Sequence, residues 1–394
     1  MRANDFLSIY QADSVVQTLS DVIRVSKPNT LHVKGLHGSL DAVVFASTFR
    51  SGKFSHVVIL QDKEEAAYFQ NDLQNLLGDR EVLLFPMSYK RPYEYDETEN
   101  ANILMRAEVL NQITTKPDFQ IIITYPEALS EKVITKKSLA TNTYVVSIGE
   151  KLDREFLEEF LHSYDFEKTD FVQEAGQFAM RGGILDIFSF ANELPYRIEL
   201  FGDEVDSIRS FDPGSQLSVD KLDKISVMPN VQTRLVQEDR QSFFEFIPSN
   251  TKIWLKDVQL TLDVVEKSFA FATENFDKVV KQSGQAKLAL HPESLFESGD
   301  SLLKLLKQFM LLEFGQRFLF QPSSVHEFKS FAQPSFNKNF ELLASNLFEY
   351  QLNGFTNFIC SEQPRQLERL QGIFEEIHPE LKFQSLEFAL QRFC

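Results

Sequence analysis

Several things this sequence has little of narrow its reading at once. It has two cysteines in 394 residues, Cys360 and Cys394. Two cannot make a disulfide framework, so both read as free thiols of a reducing cytoplasm. Glycine and proline number 15 and 14 and are scattered, which excludes collagen-like or low-complexity architecture. No stretch approaches the ~18 to 20 apolar residues that a membrane-spanning helix needs. Residues 1–14 have no apolar core followed by small residues, so no secretory signal is expected. Cationic side chains are also scarce: 40 Lys and Arg face 57 Asp and Glu, a net charge of −17. A duplex-binding surface works by replacing counterions with Lys and Arg, and no basic cluster is present to build one. The seven histidines are scattered, with no pair at ligand spacing beside a carboxylate or cysteine. Structural zinc is therefore not expected, and a catalytic metal is disfavoured.

What the chain does have is a globular balance, 43% hydrophobic and 25% charged, with 38 phenylalanines and one tryptophan, Trp254. Its length predicts two to four compact units with phenylalanine-filled cores. From Leu31 to Leu129 apolar strands alternate with amphipathic helices. Strands are expected at 30–33, 55–60, 81–85 and 119–124, and helices at 40–50, 63–77 and 101–113. That alternation predicts a doubly wound, mostly parallel α/β sheet.

The rhythm changes after about Thr141. Asp153 is placed to cap a helix carrying Leu157, Phe160, Leu161 and Tyr164, and short strands follow at 178–181, 184–188, 196–201 and 225–228. Residues 143–230 therefore read as an inserted α+β domain between two parts of the scaffold, 1–142 and 231–332. Between Glu150 and Asp212 this insert carries sixteen carboxylates against six Lys and Arg. A return to α/β is expected from a strand at 252–255, helices at 258–282 and 301–309, and a strand at 317–320. Residues 333–394 read as a further small α/β domain, with a helix, a strand at 355–361, a helix at 364–377 and a strand at 382–384. The chain stops in what reads as another helix, 388–394, so this last domain is expected to be truncated.

Three motifs bear on chemistry. Gly35, Gly38, Leu40, Asp41 and Ala42 lie between a strand and a helix, the setting of a phosphate-binding loop. The chemistry does not match. Leu40 replaces the last glycine, Asp41 the phosphate-binding lysine and Ala42 the magnesium-binding hydroxyl, and an aspartate repels a triphosphate. The loop is expected to be an ordinary turn or a decayed, inactive relic, with a nucleotide-binding ATPase as the remaining alternative. Asp203-Glu204-Val205-Asp206 spells a helicase-like acidic box, but Gly202-Asp203 before it reads as a turn, so no working box is expected. In Tyr196–Phe201, period two sets Tyr196, Ile198 and Leu200 on one face and Arg197, Glu199 and Phe201 on the other. Arg181, before the Gly182-Gly183 turn, is placed to share that second face. An arginine and a phenylalanine exposed in an acidic segment have the composition of a protein-interface anchor. The alternative is internal pairing of Arg197 with Glu199 or a nearby carboxylate, with Phe201 in a satellite core.

The run Gly176-Gln177-Phe178-Ala179-Met180-Arg181-Gly182-Gly183-Ile184-Leu185-Asp186-Ile187-Phe188 continues into Glu193-Leu194-Pro195-Tyr196-Arg197-Ile198-Glu199-Leu200-Phe201-Gly202-Asp203-Glu204 and then Ser207-Ile208-Arg209-Ser210-Phe211-Asp212. Together these segments resemble the interaction domain shared by the excision-repair protein UvrB and the bacterial transcription-repair coupling factors. Glu193 to Arg197 and the degenerate Gly35 loop favour the coupling-factor family, because UvrB keeps a complete phosphate loop. Residues 85–106 are also too short for UvrB's DNA-threading hairpin. The resemblance covers most of residues 1–330, and 333–394 only in pattern.

The resemblance implies a cytoplasmic adaptor that recruits UvrA to RNA polymerase stalled at a lesion. Its UvrA-contacting positions are Arg181, Arg197 and Phe201. ATP and magnesium, the motor on double-stranded DNA and polymerase binding would belong to domains absent from this chain. So would a C-terminal domain that covers the UvrA-binding surface at rest. The chain itself is thus expected to need no cofactor and to be no enzyme. A UvrB-like damage-binding module is the remaining alternative from the same family.

Overall fold

The computed structural model describes residues 2–25, 27–49, 54–78, 80–88, 100–116, 119–141, 143–164, 166–190, 192, 194–228, 239–283, 291–361, 363–386 and 388. Its first strands are β1 (Thr30–Lys34), β2 (His56–Ile59), β3 (Leu83–Phe85) and β4 (Ile121–Thr124), followed by the short β5 (Val133–Ile134). The insert contributes β6 (Tyr144–Ser147), β7 (Glu167–Lys168), β8 (Gln177–Arg181), β9 (Ile184–Ile187), β10 (Tyr196–Phe201), β11 (Glu204–Phe211), β12 (Ser218–Leu222) and β13 (Lys224–Val227). After the short β14 (Arg240–Gln241) come β15 (Lys252–Leu255), β16 (Met310–Phe314) and β17 (Ser324–Glu327), and later β18 (Phe358–Cys360) and β19 (Gln384–Leu386).

Seven of these strands form one sheet in the order β17-β1-β16-β15-β2-β4-β3, and every pairing in it is parallel. This is the expected parallel α/β scaffold. The strands β2, β4, β15 and β16 are buried along their whole length, because helices cover both faces of a parallel sheet and leave no solvated side. The helix Leu40–Phe49 is likewise buried from Asp41 to Phe49. Two N-terminal helices, Ala3–Gln11 and Ser14–Ile23, bring Phe6, Leu7, Leu19 and Ile23 into the same core. The second of them starts at Asp13, whose Oδ1 accepts from the amides of Val15 (2.8 Å) and Val16 (3.2 Å).

One expected strand is not found. Residues 317–320 form a loop, and the buried strand between β1 and β15 is instead β16, which follows a helix that ends at Leu306. The buried Glu313 carboxylate accepts from the amides of Leu319 (2.7 Å) and Phe320 (3.0 Å). Those donors are spent on a side chain and are not available to a strand ladder. The expected helix at 388–394 falls, apart from Phe388, outside the described residues, as does Cys394.

The insert leaves the scaffold through two antiparallel pairings, β5 with β14 and then β6 with β13. Chain entry and exit are therefore zipped together twice before the domain opens. Its sheet runs β12-β11-β10-β9-β8-β7. The helix Arg154–Ser163, capped by Asp153 Oδ1 at 3.1 Å from the Phe156 amide, packs Leu157 and Leu161 on one face with Phe178, Leu185, Ile187 and Ile198. Alternation along each strand then assigns the opposite face to Ala179, Arg181, Asp186, Arg197, Glu199 and Arg209. Near the end of the chain, β18 and β19 pair in parallel, and Phe358 stacks edge-on against Phe6 at 5.3 Å between centroids. Cys360 is a free thiol, and burial followed by the Asp72 carboxylate pushes its pKa up to about 11.

Candidate protein-binding interface

The outer face of the insert is organised by a residue that the sequence does not single out. Asp186 sits in β9 within an otherwise apolar run, Ile184-Leu185-Asp186-Ile187, and is fully buried. Register places it between Ala179 of β8 and Arg197 of β10. Arg197 grips it with Nε on Oδ1 at 2.7 Å and Nη2 on Oδ2 at 2.8 Å, a bidentate pair. Arg181 reaches the same Oδ2 through Nη2. Two guanidinium groups therefore share one buried carboxylate, and the pair it makes with Arg197 raises that side chain's pKa.

The two arginines differ in what remains of them. Arg197 also donates from Nη2 to Gln216 Oε1 (2.9 Å) and lies over the Phe211 ring, 4.3 Å from its centroid. Its side chain is only 14% exposed. The sequence expectation of an exposed Arg197 is corrected on this point, because a long cation beside a buried anion is drawn inward. Arg181 donates from Nη1 to the Asp170 carbonyl (3.0 Å) and rests 4.7 Å from the centroid of Phe171. It keeps 34% of its side chain exposed. The alternative of internal pairing with a nearby carboxylate is met for Arg197 by Asp186, while Glu199, the other carboxylate offered, pairs with Arg209 and accepts from Ser207 Oγ at 2.8 Å.

Phe201 ends β10 and is 83% exposed. It belongs to no satellite core. The following Gly202 has φ +66°, the left-handed region that glycine enters without a Cβ penalty, and turns the chain into β11. Arg154, at the start of the insert's helix, donates from Nη1 to the Gly182 carbonyl (2.8 Å) and from Nη2 to the Gly202 carbonyl (2.7 Å). One side chain thus fastens together the turn after Arg181 and the turn after Phe201. The backbone joins them as well, since the Leu200 amide donates to the Gly183 carbonyl at 2.8 Å. Arg181, Arg197 and Phe201 are therefore brought onto one sheet face, with Asp186 and Arg154 setting their geometry. Asp186 is a carboxylate in an otherwise apolar strand, a signal the sequence reading did not use. Nothing in the local sequence ties Arg154 to two glycine carbonyls far along the chain.

Residues 145–232 match the model of the UvrB interaction domain. The chain carries a UvrB interaction domain. Over most of its length it is similar to the N-terminal region of transcription-repair-coupling factors. It is 26% identical to that of Bacillus subtilis (strain 168) over 349 residues, which is 87% of this chain and 29% of the relative. Identity to the Myxococcus xanthus coupling factor is 30% over 216 residues, 53% of this chain and 18% of that protein. The UvrABC system protein B of Thermosipho africanus (strain TCF52B) is 25% identical over 246 residues, 59% of this chain and 36% of the relative. The chain thus spans between about a fifth and about a third of the length of these proteins.

The degenerate loop is a second place where sequence pointed to chemistry. Gly35 has φ +74°, and a Cβ there would lie 1.9 Å from the Phe328 carbonyl oxygen. Ser330 Oγ donates to the Gly35 carbonyl and lies 2.9 Å from His37 Nδ1, so residues 328–330 cover this side of the loop. Asp41 is buried. Its Oδ1 accepts from the Ala42 amide at 2.7 Å, and its Oδ2 lies 3.3 Å from Lys256 Nζ, which also pairs with Glu65. A carboxylate of the chain itself stands where the motif would place a cation, and its counter-ion comes from the end of β15. The Asp203–Asp206 box lies at the start of β11, in a hairpin with β10. Among the described residues no group of three His, Cys, Asp or Glu side chains could hold a metal ion, and no helix is long and apolar enough to cross a membrane.

Proposed function

We propose that this chain is a non-catalytic adaptor whose inserted domain binds UvrA. Arg181, Arg197 and Phe201 form the contact surface. The observation that carries this reading is Phe201, an aromatic ring left 83% exposed at the corner of a sheet whose neighbouring arginines are held in fixed positions. A ring presented by a rigid frame loses little conformational freedom when it enters a pocket, and aromatic and arginine side chains dominate binding energy at interfaces. The matched domain and the similarity to coupling factors support UvrA as the partner.

In the longer proteins of this family, the adaptor would work in the cytoplasm beside ATP-driven segments that engage double-stranded DNA and stalled RNA polymerase. The buried Asp41–Lys256 pair supports a structural role, not a nucleotide-binding one, for the Gly35 loop. We assign the scaffold to residues 1–142 and 231–332, the UvrA-binding insert to 143–230 and a small domain to 333–394.

The test is titration of purified UvrA with this chain beside an Arg181→Ala/Arg197→Ala/Phe201→Ala variant whose folding is verified by circular dichroism. Saturable binding by the parent and at least about a hundredfold weaker binding by the variant is the expected result. Equal binding by the two proteins would remove the surface from consideration.

A further inference from the structure

We infer that Phe171 is a further contact residue of this interface, forming with Arg181 a cation-on-ring unit that the partner covers as one piece. The inference rests on the UvrA-binding reading and extends it to a residue outside the strands. Phe171 is 58% exposed, a large apolar ring facing water on a loop ahead of β8.

The surroundings of that ring hold it still. Thr169 Oγ1 donates to its carbonyl at 3.2 Å, and the carbonyl of Asp170, just before it, accepts from Arg181 Nη1 at 3.0 Å. The next residue, Val172, is buried in a small cluster with Ala179, Phe188 and Phe211. The backbone that carries the ring is therefore held on both sides while the ring's surface remains in solvent. The Arg181 guanidinium lies 4.7 Å from its centroid, and Asp186 fixes the other end of that guanidinium. A cation on an aromatic face is held weakly in water and more strongly once a partner excludes the water.

The register gives the patch its extent. Arg181 pairs with Ile184 and Ile184 with Glu199. Phe201 lies two residues beyond Glu199 on the same strand. Neighbouring strands lie about 4.8 Å apart, so Phe171 and Phe201 flank Arg181 and Ile184 across roughly 10 to 15 Å. A partner fitted to this surface offers two apolar recesses with a carboxylate between them for Arg181. It does not need a second carboxylate for Arg197, whose charge Asp186 already answers.

The experiment is the same UvrA titration with Phe171→Ala, Phe171→Tyr, Arg181→Ala and the Phe171→Ala/Arg181→Ala pair. The exposed ring makes the alanine variant safe to fold, and a thermal midpoint within a few degrees of the parent verifies it. Phe171→Ala is expected to weaken binding about tenfold, and Phe171→Tyr to stay within about twofold of the parent. The double variant is expected to lose clearly less than the product of the two single losses. A parent that saturates UvrA with a Phe171→Ala variant binding equally well overturns this inference and leaves the UvrA reading standing. A parent that does not bind UvrA overturns both.

Discussion

Two buried aspartates of this chain meet their cations in opposite ways. Asp41, beside the loop that resembles a phosphate site, takes Lys256 from just past the end of β15, and that loop is partly covered by residues 328–330. Asp186, in the inserted sheet, takes Arg181 and Arg197 and holds them against Phe171 and Phe211 at a surface that ends in Phe201. The chemistry is the same in kind, a carboxylate out of water balanced by a charged nitrogen. The outcome differs because one cluster is closed by the chain itself and the other is left open on one side. A closed cluster contributes to the fold. An open one, framed rigidly and bordered by exposed rings, has something left to offer a partner. The contrast also explains why a motif match misleads at Gly35: the loop has the strand-to-helix setting of an anion site, but the anion beside it is the chain's own Asp41 carboxylate, already paired.

The strongest way to break the comparison is to remove Asp186. Asp186→Ala leaves two guanidinium groups without their shared anion, one of them nearly buried. It is expected to lower the stability of the insert by about 3 kcal/mol. Amide hydrogen exchange followed across a urea series would show the strands of the insert opening earlier, ahead of a scaffold transition reported by Trp254 fluorescence. Binding to UvrA should fall with it even at temperatures where the domain remains folded, because Arg181 loses its fixed position. Parental stability in this variant would mean that the two arginines are solvated independently and that no common frame exists.

A smaller effect is expected from Asp41→Ala. Lys256 keeps Glu65 as a partner when Asp41 is lost, so the remaining charge is not orphaned. The scaffold should lose about 1 to 2 kcal/mol, read from the Trp254 transition, with no change in UvrA binding. A loss of UvrA binding without unfolding would couple the two regions and end the division between closed and open clusters.

Much of this arrangement is legible in the amino-acid sequence. The alternation from Thr30 to Thr124 specified a parallel sheet, and the Tyr196–Phe201 strand emerged with the boundaries it has. Period two correctly separated Ile198 from Arg197, since buried and half-buried positions alternate there. Long-range pairings were not legible. The strand expected at 317–320 failed because a single buried carboxylate, Glu313, takes the two amides a ladder would have needed. The exposure of Arg197 was misjudged for a related reason. Alternation says which face a side chain leaves from, and it says nothing of a buried anion waiting on the next strand. Arg154 escaped notice because its acceptors are main-chain carbonyls, which every residue has and no motif marks.

The smallest stability effect is expected where the binding effect is among the largest. Phe201→Ala removes a ring that is 83% exposed, so little apolar area moves between water and protein on folding. The backbone of the position is held by its pairing with Glu204 and by Arg154 on the Gly202 carbonyl, and neither contact uses the ring. Unfolding free energy should therefore stay within about 0.5 kcal/mol of the parent. Binding to UvrA should weaken by about 2 kcal/mol or more, the cost of emptying a central aromatic pocket. Thermal denaturation and titration on the same preparation separate the two quantities. A variant that loses stability and binding in equal measure would show Phe201 to be part of the fold, and the open cluster would then be closed by a contact of the chain itself.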